Sequence, residues 1–165
     1  MSVKIVSLKA NQHTMTPKEN FKLTGLKLDK KTFNAIGQAA IDCGSLWQQF
    51  MGEAVADKIT GKLSADIYAV YFEYEGDHTQ PYSFFIGCKV STDAETPEGL
   101  HSIDIPNQNY VVVTAKGKMP DCVASAWQEI WKSDVDRVYG YDFEVYNELS
   151  ADWENAIVDI YLSVK

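Results

Sequence analysis

Tyr141-Asp142-Phe143-Glu144-Val145-Tyr146 is dense in aromatic and β-branched residues, the composition of a β-strand. Side chains alternate along a strand, so Phe143 and Val145 share one face while Asp142, Glu144 and Tyr146 share the other. Glu144 therefore stands beside a tyrosine ring in a segment that otherwise favours burial. An ionised carboxylate in such a place is costly unless it is paired or hydrogen-bonded. Two readings fit. Glu144 lies on the wet face of an antiparallel sheet with Tyr146 as an ordinary neighbour, or it holds a cation inside an aromatic cage.

Outward from this strand the chain repeats itself. Upstream come a strand at Tyr110 to Ala115 and a helix carrying Ala126-Trp127-Gln128-Glu129-Ile130-Trp131; downstream comes a strand at Ala156 to Val164. The first half has the same order: a strand at Phe21 to Leu28, a helix carrying Leu46-Trp47-Gln48-Gln49-Phe50, and strands at Ile67 to Glu75 and Tyr82 to Val90. Both halves read β-α-β-β, with a Trp-Gln pair in each helix. Tyr68-Ala69-Val70-Tyr71 matches Phe143-Glu144-Val145-Tyr146, so a pseudo-dyad would bring Ala69 and Glu144 together.

The expected fold is α+β: duplicated β-α-β-β modules related by that pseudo-dyad, forming an antiparallel sheet with helices on one face. Repeat one spans about 21–91 and repeat two about 101–165, joined by a loop-rich connection from Thr92 to Pro106 that includes a short strand at Ser102 to Ile105. Each half has too little core to stand alone, so the chain reads as one domain. Near-helical spacing places Ile36, Ala40, Trp47, Phe50 and Met51 on one helix, and Val123, Trp127, Ile130 and Trp131 on one face of the other, which starts at Pro120-Asp121. Val158, Ile160, Leu162 and Val164 form an apolar face expected under the helices. Glu144, Tyr146, Tyr71, Ala69 and Tyr161 are expected on the face away from them.

Composition bounds the partners. The 165 residues carry a formal net charge of −8, and Arg137 is the only arginine, which argues against direct nucleic-acid binding and favours cationic small molecules. Twenty aromatic side chains, nine of them tyrosine, supply both a core and pocket walls. Cys43, Cys88 and Cys122 form neither a disulfide framework nor a zinc pattern, and His13, His78 and His101 lie far apart, so no metal and no cofactor is expected. Met1-Ser2-Val3-Lys4-Ile5-Val6 has no leader-like apolar run, and no segment is long enough to cross a membrane, so a cytoplasmic location is expected.

Five segments in order carry a family resemblance. They are Leu46-Trp47-Gln48-Gln49-Phe50; Ile67-Tyr68-Ala69-Val70-Tyr71 with Gly87; Ile105-Pro106-Asn107-Gln108-Asn109-Tyr110-Val111-Val112; Trp127-Gln128-Glu129-Ile130-Trp131; and Asp142-Phe143-Glu144-Val145-Tyr146. Together they resemble the GyrI-like effector-binding domains of AraC-type and MerR-type multidrug regulators, most of all the stand-alone, integron-associated effector-binding proteins. The resemblance spans roughly Phe21 to Lys165 and implies a single effector-binding domain over 1–165. It implies an aromatic pocket for cationic, lipophilic compounds, with Glu144 as its acid and Tyr110 facing the pocket. Tyr71, Tyr146, Trp127 and Tyr161 join them by parity or repeat equivalence. No helix-turn-helix is read on either side of the repeats, which argues against a direct transcription role.

Three functions remain open. One is a binding protein for hydrophobic organic cations, linked to transcription or drug response. Another is a GyrI-like hydrolase of small reactive metabolites with Glu144 as general base, although no residue set marks a catalytic centre. The last is an interaction protein with a separate DNA-binding or gyrase partner. Haem binding of the distantly similar SOUL type lacks a histidine on a pocket strand.

Overall fold

The computed structural model describes residues 15–165 and the backbone of Lys4–Ile5. His13 and the rest of the N-terminal stretch lie outside the described residues. The strands are β1 (Lys4–Ile5), β2 (Met15–Lys18), β3 (Phe21–Lys27), β4 (Ile67–Phe72), β5 (Ser83–Val90), β6 (His101–Ile105), β7 (Gln108–Gly117), β8 (Asp142–Tyr146) and β9 (Ala156–Val164). The helices are α1 (Gln38–Gly52), α2 (Val55–Lys58) and α3 (Asp121–Lys132).

All strands join one antiparallel sheet in the order β1-β7-β9-β8-β4-β5-β3-β6. The outer edge of β7 is shared, pairing with β1 at Ala115 and Lys116 and with β2 from Gln108 to Val111. Around the central β4–β8 pair the order is palindromic: β4, β5, β3 on one side and β8, β9, β7 on the other. Ala69 and Glu144, expected to approach one another, are direct register partners at this centre.

The sheet is curled. β6 and β7 sit near opposite ends of the row, about 29 Å apart if the sheet were flat at the usual strand spacing. Yet only Pro106 and Asn107 separate them in the chain, a reach of about 11 Å. The curl closes around the helix-free face. Phe21 on β3 and Phe143 on β8 lie three strand steps apart in the row, yet their ring centroids are 5.7 Å apart. Phe21, Leu23, Tyr68, Val70, Phe72, Phe85, Ile105, Tyr110 and Phe143 fill this interior.

The opposite face carries the helices. Leu46 and Phe50 of α1 pack on Ala69, Phe84, Ile86, Cys88 and Val90. Cys122, Val123, Ala126 and Ile130 of α3 pack on Val113, Ala115, Val158, Ile160 and Leu162. The apolar face of β9 thus lies under a helix, as expected. The phase of α1 differs from its expected one. Its buried stripe is Cys43, Leu46, Trp47 and Phe50, at helical spacing. Ile36 precedes the helix at φ 55°, 90 % exposed, and Met51 faces outward.

The face assignment of the pocket residues also needs correction. Side chains of register partners share a face. Glu144 pairs with Ala69 and with Ile160, which lie under α1 and α3, so Glu144, Ala69, Tyr71 and Tyr146 belong to the helix-bearing face. Tyr161 pairs with Phe143 and stacks on it at 4.7 Å, so it alone of that group faces the curled interior.

β3 and β5 approach closely where Gly25 pairs with Gly87. A Cβ on Gly25 would lie 2.0 Å from the Ile86 carbonyl oxygen. Gly25→Ala is therefore expected to cost about 1–3 kcal/mol or more, because backbone rather than a flexible side chain must yield. Urea unfolding checks this, and an unchanged midpoint would show that the strands part without cost.

Candidate functional site

Three elements converge on Glu144. β8 carries it, β4 brings Tyr71 from the neighbouring strand, α3 brings Trp127, and Tyr146 follows two residues along β8. Tyr71 donates its hydroxyl to Glu144 Oε2 at 2.8 Å, and Trp127 donates its indole Nε1–H to the same oxygen at 2.6 Å. Tyr146 donates its hydroxyl to Oε1 at 2.6 Å. Glu144 is only 2 % exposed.

The electrostatics follow from this burial. Removal from water raises the Glu144 pKa, the three hydrogen bonds pull it back, and the result stays above the ordinary carboxylate value. Burial, with the neighbouring Glu144 charge, pushes the phenols of Tyr71 and Tyr146 well above their usual value, so they remain neutral donors. The Cys43 thiol is raised for the same two reasons and stays protonated.

Aromatic rings enclose the carboxylate. Trp127 meets Tyr71 edge to face at 5.1 Å, and Trp47 of α1 meets Tyr146 edge to face at 5.0 Å. Tyr71 also contacts Phe84 at 5.0 Å and Tyr82 at 5.8 Å. Tyr146 packs against the clusters under both helices, so the site lies at the seam between the two halves.

A second buried acid lies beside the first. Asp142, on the Glu144 side of β8, is 0 % exposed. It accepts hydrogen bonds from Arg137 Nη2 at 2.9 Å, Tyr74 hydroxyl at 2.8 Å, and both the backbone N–H and the hydroxyl of Ser163 at 2.7 Å. The Arg137 guanidinium lies 4.3 Å from the Tyr139 ring centroid and 5.6 Å from that of Trp127. Burial works against its charge, but Asp142 and the nearby tyrosines hold its pKa above the ordinary value. The chain's only arginine is thus paired with Asp142, and among the described residues Glu144 is held by neutral donors alone.

Of the residues singled out from sequence, Glu144, Tyr71, Trp127 and Tyr146 come together. Tyr110 and Tyr161 do not join them. Tyr110 is buried in the curled interior, donating to the Tyr141 carbonyl at 2.9 Å, and meets Phe143 edge to face at 5.1 Å. Tyr161 lies on the same interior face, with the Lys18 ammonium 4.9 Å from its ring centroid. Sequence reasoning missed Arg137 and Asp142 as part of the site. A lone arginine five residues before an acid that shares the face of Glu144 was the available signal.

Comparison with known proteins agrees with this architecture. The pattern of the integron-associated effector binding protein family (Cass2) matches residues 14–164, and the chain belongs to that family. A putative transcriptional regulator, YobU of Bacillus subtilis strain 168, is 32 % identical over 123 residues, covering 73 % of this chain and 75 % of that one. An integron cassette protein from the mobile metagenome of Vibrio cholerae superposes with a TM-score of 0.73 at 25 % identity, over 100 % of both chains. The structure of SAV2435 bound to tetraphenylphosphonium superposes with a TM-score of 0.72 at 19 % identity, over 93 % of this chain and 94 % of that one. Among the described residues, no helix is long and apolar enough to cross a membrane.

Proposed function

We propose that this protein binds lipophilic organic cations, with Glu144 as the counter-charge and Tyr71, Tyr146 and Trp127 as the ring walls. The observation that carries the reading is a carboxylate 2 % exposed and held, among the described residues, only by neutral donors. A carboxylate offers about four lone-pair sites and three are used here, so the hydrogen bonds favour its charged form, against the cost of burial, without a basic partner. A quaternary cation has no N–H to donate. It needs a nearby charge and aromatic faces, each face contributing roughly 0.5–2 kcal/mol. SAV2435, of similar fold, has been seen with such a cation. Both oxygens of Glu144 are engaged by side chains, which favours holding a charge over activating a water.

A thermal-shift pair tests the charge requirement. Tetraphenylphosphonium and tetraphenylborate have nearly the same shape and opposite charge. The cation is expected to raise the melting temperature with concentration, because it binds the native state, and the borate is not. Equal shifts from both would remove Glu144 from the explanation.

Tryptophan fluorescence is expected to report the same event through Trp127, whose indole N–H contacts Glu144 directly. Titrating wild type, Trp47→Phe and Trp127→Phe with tetraphenylphosphonium should show the response largely lost in Trp127→Phe. A response lost in Trp47→Phe and intact in Trp127→Phe would move the ligand to the α1 side.

The palindromic strand order and the matched β-α-β-β halves support an internal duplication in which one copy supplies Ala69 and the other Glu144. A regulatory role through a separate DNA-binding or gyrase partner is consistent with the description of YobU as a putative transcriptional regulator.

A further inference from the structure

Arg137 is not fully used by its ion pair. Its side chain is 4 % exposed, and only Nη2 reaches Asp142. Nε and Nη1 are buried with no hydrogen-bond partner among the described residues. A buried N–H without an acceptor carries its full desolvation cost, more so on a charged group. Asp142 cannot relieve it, because both its oxygens already accept two donors each. The guanidinium lies 5.6 Å from the Trp127 ring whose N–H edge contacts Glu144. One indole thus connects the acid to an arginine with unspent donors.

We propose that Arg137 is a specificity-determining residue of the Glu144 site, and that its free N–H groups receive an oxygen acceptor carried by the ligand. The inference rests on the cation-binding reading and narrows its ligand class. The preferred ligands are lipophilic cations that also bear a carbonyl, ether or phosphoryl oxygen about one indole's length from the positive centre. Arg137 does not repel the cation, since Asp142 balances its charge at 2.9 Å. An arginine suits this task better than a lysine: its planar fork can keep one edge on Asp142 while offering the remaining N–H groups elsewhere. The purely structural alternative is an arginine that only ties its loop to β8.

The test uses two probes of equal charge and similar size, tetraphenylphosphonium and (4-acetylphenyl)triphenylphosphonium, titrated calorimetrically into wild type and Arg137→Lys. Wild type is expected to bind the acetyl probe about tenfold more tightly, the size of one hydrogen bond to a charged donor. In Arg137→Lys the ratio of the two affinities should fall to about one. A wild-type ratio near one, or a preference that survives in Arg137→Lys, overturns the proposal while leaving cation binding intact. If neither probe binds, both readings fall.

The wild-type protein offers a second readout that does not depend on how the variant folds. With a single arginine in the chain, its ¹⁵N spectrum contains one arginine Nε–H signal. The acetyl probe is expected to shift that signal and slow its exchange with water, and tetraphenylphosphonium to do neither to the same extent. An Nε–H signal indifferent to the acetyl probe overturns the assignment.

Discussion

Glu144→Gln is expected to weaken tetraphenylphosphonium binding by about 1–3 kcal/mol, or roughly 5- to 150-fold, while the fold persists. Gln keeps the shape, and its carbonyl oxygen still accepts from Tyr71 and Trp127. Its amide then faces the Tyr146 hydroxyl, which turns from donor to acceptor. The folded-state pKa of Glu144 lies above its unfolded value. Between the two values the folded protein holds more protons than the unfolded one, so this group's contribution to stability falls as pH rises through that window. Gln cannot titrate. The stability of Glu144→Gln relative to wild type should therefore improve from the ordinary carboxylate range upward, and wild-type cation affinity should rise over the same window while that of the variant stays flat. Calorimetry and urea unfolding at several pH values measure both. Equal cation affinities for the two proteins would remove Glu144 from the site.

Asp142→Ala should damage the fold far more than any change at Glu144. It strands a buried guanidinium and leaves Tyr74 and Ser163 without their acceptor. Breaking one side of a buried pair costs about 3–5 kcal/mol, because the remaining charge has no compensation. The double variant Asp142→Leu with Arg137→Met should recover much of that loss, since neither charge then remains. Urea midpoints of the single and double variants form the comparison. A single variant within about 1 kcal/mol of wild type would show that water reaches Arg137 freely.

Much of the fold was legible because strands and helices write their periods into the chain. The bounds of β9 follow from its alternation, and the start of α3 from Pro120-Asp121. Sidedness was not legible. Alternation separates the residues of one strand into two sets but does not say which set meets the helices. Register decides it, and the pairing of Glu144 with Ile160 places the acid under α3 rather than away from it. Parity kept Glu144, Tyr71 and Tyr146 together but put them away from the helix that carries Trp127, whereas Tyr161, placed with them by parity, and Tyr110, placed by the resemblance, lie on the other side of the sheet. Arg137 was legible only as a lone arginine five residues before Asp142. It sits in a loop with no periodicity, and its partner Asp142 looks from sequence like one more acid in an acidic chain.

The seam between the halves has a mechanical consequence. Glu144 is tied to Tyr71 from the first half and to Trp127 and Tyr146 from the second, so one carboxylate acts as a clasp across the β4–β8 ladder. Removing the Tyr71 hydroxyl with Tyr71→Phe unfastens one side of that clasp without opening a cavity. Amide protons along Ile67–Tyr71 and Asp142–Tyr146 should then exchange with solvent faster than those of the β7–β9 ladder. A cation resting between the rings of both halves would fasten the seam again, so that ligand occupancy is read out as the stiffness of a single strand pair.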